Sequence, residues 1–198
     1  MNSDRHQDIL KRIRQCGVIR PKDLPDVTPY QLAKLCQLGL IQRIGRGLYQ
    51  IANAGVSENH DLAVVGRQTP DSTICLLTAL SFHGLTTQMP RATWIAIANK
   101  ARPPVIEYPS IEIVRMTGKS LSMGIAQHKI DGVKVRVFNP AKTVADCFKF
   151  RSRVGLDVAI EALRDYRQLR HGRIDSLWKY AKICRVQSII RPYLEAIG

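Results

Sequence analysis

The segment from Leu32 to Ile51, LAKLCQLGLIQRIGRGLYQI, restricts the fold more than any other stretch of the chain. Leu32, Leu35 and Cys36 share one face of a helix, while Tyr30, Gln31, Lys34 and Gln37 share the other. Gly39 ends that helix, because the residue past a helix end often takes positive φ, which glycine alone adopts without strain. Leu40 to Ile44 alternates as a strand, Gly45-Arg46-Gly47 turns, and Leu48 to Ile51 returns. Arg46 therefore lies at the tip of a hairpin, between two glycines. A polar-faced helix running into an arginine-tipped hairpin is the surface that a winged helix-turn-helix offers to DNA. The same pairing also occurs in small domains that never touch nucleic acid, so the flanking residues and the charge must discriminate.

The preceding residues complete such a unit. Ile9, Ile13 and Cys16 recur at helical spacing over Asp4 to Gln15, with Lys11, Arg12 and Arg14 turned away. Asp4 can cap this helix, with Gln7 three residues on. Gly17 closes it, and the apolar pair Val18-Ile19 can add a strand to the hairpin. Pro21 opens a very short helix over Lys22-Asp23-Leu24, which Pro25 closes. Thr28 is placed to cap the third helix, with Pro29 at its first position. The expectation is a winged helix-turn-helix over residues 1–56. In it Tyr30, Gln31, Lys34 and Gln37 face the major groove, and Thr28 lies near a phosphate. Arg46 reaches backbone or minor groove, and Arg20, Lys22 and Arg43 act as positioning contacts.

Charge favours this reading. The chain has 30 Lys and Arg against 16 Asp and Glu, a formal net charge of +14. A positive field of that size attracts phosphate polymers or anionic membranes. No apolar run is long enough to span a bilayer, and the N-terminus lacks a signal-peptide core, so a cytoplasmic protein with no membrane partner is expected. The five cysteines, Cys16, Cys36, Cys75, Cys147 and Cys184, are widely spaced within apolar patterns and include no CxxC pair. They read as reduced core residues. His83 follows a helical run and His171 lies in a basic loop, and neither has a second ligand nearby, so neither a metal nor a cofactor is expected.

The composition changes near Asn53-Ala54-Gly55, and residues 57–198 read as a second domain long enough for its own core. A helix over Asp61 to Arg67 opens it, followed by a short strand and helix through Ile74 to Leu80 and a buried strand at Thr93 to Ala98. Val105 to Val114, broken by Pro109, reads as an edge strand or two short ones. Asp131-Gly132 joins Ala126 to Ile130 with Val133 to Phe138 in a type I′ hairpin. Asn139-Pro140 opens a helix, and further helices follow over Leu156 to Arg170, from Arg173 and from Gln187. The whole is an α+β chain, a winged helix-turn-helix followed by a small sheet with helices. It carries no phosphate loop, HExxH or GxSxG. Lys142 and Asp146 lie four apart on one helix face, which reads as an exposed ion pair rather than a catalytic one. Asp131 is accounted for as a turn residue. Arg164, Arg167, Arg170, Arg173, Lys179, Lys182 and Arg185 form either a solvated helical face or a second phosphate-binding surface.

The elements IGRGLYQI, LLTALSFHGLT, PRATWIAIA and FNPAKTVADCFKFR with GLDVAIEALRDY occur in this order over nearly the whole chain. Together they resemble the AbiEi antitoxin family, transcription-regulating members of type IV abortive-infection toxin–antitoxin pairs. The resemblance implies an N-terminal winged helix-turn-helix that binds inverted repeats in its own promoter; self-association on DNA stays an open alternative. It also implies a C-terminal domain that counteracts a nucleotidyltransferase-like toxin. The chain departs from the family pattern in the very short second helix before Pro25, and in Tyr30-Gln31, where basic residues are more usual. The function expected is that of a non-enzymatic DNA-binding autorepressor and antitoxin. Two rival classes are a nucleic-acid-processing enzyme with a DNA-targeting head, which would need clustered carboxylates, and an RNA-binding module, which would need an aromatic sheet face.

Overall fold

The structure is a computed structural model that describes residues 2–53, 55, 57–170 and 172–197, with side chains from Arg5 onward. The first helix begins at Asn2 rather than Asp4, so Asp4 lies inside its first turn and is not the expected cap; Ala54 at the expected domain boundary and His171 lie outside the described residues. Among the described residues the fold is α+β, with ten α-helices, a two-stranded sheet and a five-stranded sheet. The chain divides into two compact units.

The first unit comprises Met1–Pro70, Val105–Pro109 and Lys129–Val135. It begins with α1 (Asn2–Cys16), a single 3-10 turn (Pro21–Asp23) and α2 (Pro29–Gln37), then β1 (Ile41–Gly45) and β2 (Leu48–Ile51). Ile9 and Ile13 of α1 and Leu32 and Leu35 of α2 meet Ile19, Leu24, Val27 and Ile41 in one apolar core. The periodicity that assigned the helices is thus the periodicity that buries them. Gly45 pairs with Leu48, so Arg46-Gly47 forms the turn, with Gly47 at φ 67°. Val18-Ile19 contributes a bridge rather than a strand: Ile19 N donates to Tyr49 O at 2.9 Å and Tyr49 N to Ile19 O at 3.0 Å.

The first unit extends beyond residue 56. Helix α3 (His60–Gln68), expected to open the second domain, is bound into the first by polar contacts between residues far apart in sequence. Arg67 Nη2 lies 2.5 Å from Asp23 Oδ2 in the 3-10 turn, and His60 Nδ1 lies 3.0 Å from Asp131 Oδ2. Tyr108 Oη donates to Asp61 Oδ1 at 2.9 Å, and Gln68 Nε2 donates to the Tyr108 carbonyl at 3.0 Å. Asp131 and Gly132 both take positive φ, 44° and 80°, as a type I′ turn requires. That turn packs on the end of α1 with no room for a side chain. A Cβ on Gly17, itself at φ 69°, would stand 1.5 Å from the Asp131 carbonyl oxygen.

The five-stranded sheet has the order β5-β4-β3-β7-β6, built from β3 (Thr73–Ile74), β4 (Thr93–Ala98), β5 (Ile111–Met116), β6 (Ile125–Ile130) and β7 (Val133–Phe138). β3 runs antiparallel to β4 and parallel to β7, and β4 runs parallel to the edge strand β5. The strand expected from Val105 begins only at Ile111, and Val105 is 91% exposed. Pro103, Pro104 and Pro109 have no amide hydrogen to offer a ladder, so the approach to the strand stays irregular.

In the second unit, α6 (Pro140–Lys149) is the central helix, packed against α4 (Leu76–Phe82), α8 (Leu156–Gln168), α9 (Ile174–Cys184) and α10 (Gln187–Ile197). Single turns at α5 (Lys119–Ser122) and α7 (Arg151–Val154) complete the order and were too short to show a periodicity. Asn139 caps α6 by accepting from Lys142 N at 2.9 Å, and its Nδ2 donates to Tyr180 Oη at 3.0 Å. Every residue from Ala141 to Phe148 is buried.

Burial of α6 overturns one sequence expectation. Lys142 and Asp146 do pair, but both side chains are 0% exposed. With helices packed around α6, an i,i+4 pair on it lies in the interior. The Lys142 ammonium sits 4.2 Å from the Phe138 ring centre, and Cys184 Sγ donates to Asp146 Oδ1 at 3.2 Å. Burial pushes the Asp146 carboxyl above its ordinary range, and the Lys142 ammonium pulls it back. Burial also pushes the Cys184 thiol up to about 12, which keeps it protonated as the donor.

Removal of one partner leaves the other buried and unpaired, so Lys142→Met alone is expected to destabilise the protein by about 3–5 kcal/mol in urea unfolding. The double variant Lys142→Met/Asp146→Leu is expected to recover most of that loss, and equal losses in single and double variants would mean that the pair itself contributes net stability. In the first unit, Gly17→Ala is expected to destabilise by more than about 1 kcal/mol through positive φ and the clash with the turn. Thermal unfolding unchanged in that variant would show that the turn does not seat against α1.

Candidate nucleic-acid interface

The cap of α2 is built as its sequence requires. Gln31 N donates to Thr28 Oγ1 at 3.3 Å, and Thr28 N donates to Gln31 Oε1 at 2.9 Å, a reciprocal capping box. Gln31 is half-buried and its carbonyl is committed to the cap, so of the polar residues expected to face a groove it is the one least available to a base. Tyr30, Lys34 and Gln37 are exposed on α2, with Tyr30 at 78%. Thr28 is also exposed, at a helix start where Pro29 has no amide hydrogen and Thr28 itself accepts from Gln31 N and Leu32 N. Two apolar side chains follow the polar face, Leu38 and Leu40, which are 51% and 38% exposed.

The basic residues around α2 divide into free and occupied groups. Arg46 and Lys22 are exposed. Arg43 is exposed as well, with Nε donating to the Gly45 carbonyl at 3.1 Å, so it folds back along its own strand. Arg20 is half-buried, and its Nε is enclosed without a hydrogen-bond partner among the described residues. It is therefore a poorer positioning contact than its sequence position suggested.

Sequence reasoning missed a clamp on the loop before α2. Arg12 of α1 donates twice to Asp26, at 2.6 and 2.8 Å, a planar two-point contact. The guanidinium holds the Asp26 carboxyl down at about 2. The helical periodicity turns Arg12 outward, but nothing in the spacing of residues 12 and 26 indicates the contact.

The C-terminal basic residues do not form an unbroken cationic stripe. Arg164, Arg170, Arg173, Lys179, Lys182 and Arg185 are exposed and Arg167 is half-buried. Arg164 and Arg167 share a surface recess with Gln168 of α8 and the end of α10. Arg164 also shares a recess with Asp157, Glu161 and Asp165, so carboxylates flank it on its own helix. Arg185 adopts the left-handed conformation that ends α9. Among the described residues, no group of three or more His, Cys, Asp or Glu converges as a metal site would. No helix is long and apolar enough to cross a membrane among the described residues.

The Asp26 pair sets an acid limb for the first unit. Its carboxyl is lowered from 3.8 to about 2, so its contribution is fully present above the ordinary value and is lost as the pH falls through the folded one. Wild type is expected to melt slightly above Asp26→Asn near neutral pH, and that gap should close as the pH drops from 3.8 towards about 2. The gap is small because the pair is exposed and salt screens it. A gap that persists at the acid end would mean that Asp26 acts other than through its charge.

No protein-family model and no curated protein matches this chain. Among solved structures it is similar to the crystal structure of the RV2827C protein from Mycobacterium tuberculosis, at 14% identity and a TM-score of 0.54, over 85% of this chain and 71% of that one. The likeness concerns the fold alone, and it accords with the α+β architecture.

Proposed function

We propose that the first unit is a winged helix-turn-helix that binds double-stranded DNA, and that the chain is a non-enzymatic autorepressor and antitoxin. The observation that carries the DNA reading is the solvent face of α2. Tyr30, Lys34 and Gln37 lie exposed on it, and the exposed Arg46 tips the hairpin that follows directly. In a chain of net charge +14, such a face suits a phosphate-lined groove. α2 lies in the groove and reads base edges, while Arg46, Lys22 and Arg43 contact the backbone. The helix N-terminus at Thr28 faces a phosphate. An inverted repeat would seat two copies of the chain, one on each half-site. The antitoxin role rests on the resemblance of FNPAKTVADCFKFR and its neighbouring elements to the AbiEi family, which also gives the partner: a nucleotidyltransferase-like toxin.

The test is binding of the full chain to DNA from upstream of its own coding region, against random DNA of equal length, across a salt series. Lys34→Ala is expected to lose about 1–3 kcal/mol of operator binding and to narrow the margin over random DNA. Arg46→Ala should weaken both DNAs about equally and lower the salt slope by roughly one phosphate contact. Wild-type behaviour in both variants would exclude α2 and the hairpin as the DNA surface. For the antitoxin role, co-expression with the toxin encoded beside it should restore growth that the toxin alone arrests, and continued arrest would exclude that role.

A further inference from the structure

We propose that Tyr30 and Ala33 of α2 contact the 5-methyl group of a thymine in the major groove, which makes Tyr30 a specificity-determining residue. The proposal rests on the DNA reading above and names the base chemistry that the face of α2 recognises.

Beyond Pro29 at its start, the exposed residues of α2 are Tyr30, Ala33, Lys34 and Gln37. Their spacing of three, four and seven positions from Tyr30 puts them in one stripe along the helix. The N-terminal end of that stripe is apolar. Tyr30 is 78% exposed, so its ring gains little burial within the chain and has most of its area left for a partner. Ala33 stands one turn further on with a single methyl group, which lets the helix come close to a base edge. The N-terminal residues of a recognition helix are the ones that meet base edges, and the apolar group on a major-groove edge is the thymine methyl. The polar groups beside the ring favour the same base. Pro29–Gln37 contains no carboxylate to accept from cytosine N4. Thr28 Oγ1 accepts from Gln31 N at 3.3 Å and Gln31 Oε1 accepts from Thr28 N at 2.9 Å, so these two acceptors are spent on the cap. The amino groups of cytosine and adenine therefore meet a face poor in acceptors. Thymine brings a methyl group and the O4 acceptor, and Lys34, four residues from Tyr30, carries donors only.

The test compares DNA from upstream of the coding region with the same fragment carrying deoxyuridine for thymine, which removes the methyl groups and keeps the pairing. Fluorescence anisotropy gives the affinity of the full chain for both, with random DNA of equal length as reference. Wild type, Tyr30→Ala and Tyr30→Phe are measured at a salt concentration where each binds. Wild type is expected to prefer the thymine fragment by about fourfold for each methyl group contacted. Single deoxyuridine replacements should place that loss at one position in each half-site. Tyr30→Ala is expected to bind both fragments about equally, while Tyr30→Phe, which keeps the ring, should keep the preference. Tyr30 is exposed, so both variants should melt as wild type does, and Tyr30→Phe keeps the test valid if Tyr30→Ala does not. Equal binding of both fragments by wild type, with upstream DNA still preferred over random DNA, overturns the methyl contact and leaves the DNA reading standing. A preference that survives in Tyr30→Ala overturns the assignment to this residue. Its loss in Tyr30→Phe transfers the effect to the hydroxyl and overturns the ring contact. If wild type does not distinguish upstream from random DNA, base reading by α2 fails and the proposal falls with it.

Discussion

The second unit is organised around an ion pair that water does not reach. Lys142 and Asp146 lie one turn apart on α6, both fully buried, with Phe138 beneath the ammonium and the Cys184 thiol on the carboxylate. Two charges in an apolar interior are tolerable only when each satisfies the other, so the surrounding helices must keep their places. The Lys142 stem adds a further constraint, since a Cβ on Gly124 would meet it at 2.8 Å. Capping, burial and pairing on α6 thus reinforce one another. Asn139 starts the helix, its amide reaches Tyr180 of α9, and α9 also delivers Cys184 to Asp146.

The first unit places its polar pairs differently, at its periphery. Its apolar core is small, and Arg12–Asp26, Arg67–Asp23 and His60–Asp131 join segments around it. Asp23 has two tasks: it accepts the Arg20 amide at 2.6 Å and the Arg67 guanidinium. The very short helix before Pro25 is thereby held by side chains as well as by its own backbone.

Architecture claims part of the polar face of α2. Thr28 and Gln31 form the cap, and Tyr30, Lys34 and Gln37 are the polar side chains left exposed on it. The C-terminal helices show a second constraint, with Arg164 set among Asp157, Glu161 and Asp165. Net charge attracts a polyanion over a distance, but local neighbours decide which cations remain available at contact.

The local elements were legible because their causes are local. The spacing of Leu32 and Leu35, the Thr28 cap, the Gly39 stop and the Asp131-Gly132 turn each depend on residues within a few positions, and each formed where that spacing indicated. Compactness depends on contacts that no periodicity encodes. His60 meets Asp131 across 71 positions, and with Arg67 on Asp23 this draws α3 into the first unit. Lys142 and Asp146 have the spacing of a surface pair, and only the helices packed around α6 made them a core pair. By itself the sequence determined where the chain coils, turns and caps, because backbone sterics and hydrogen bonding act within a few residues. Tertiary packing alone decided which charges are buried, since desolvation depends on what surrounds a group, and distant segments supply that surrounding.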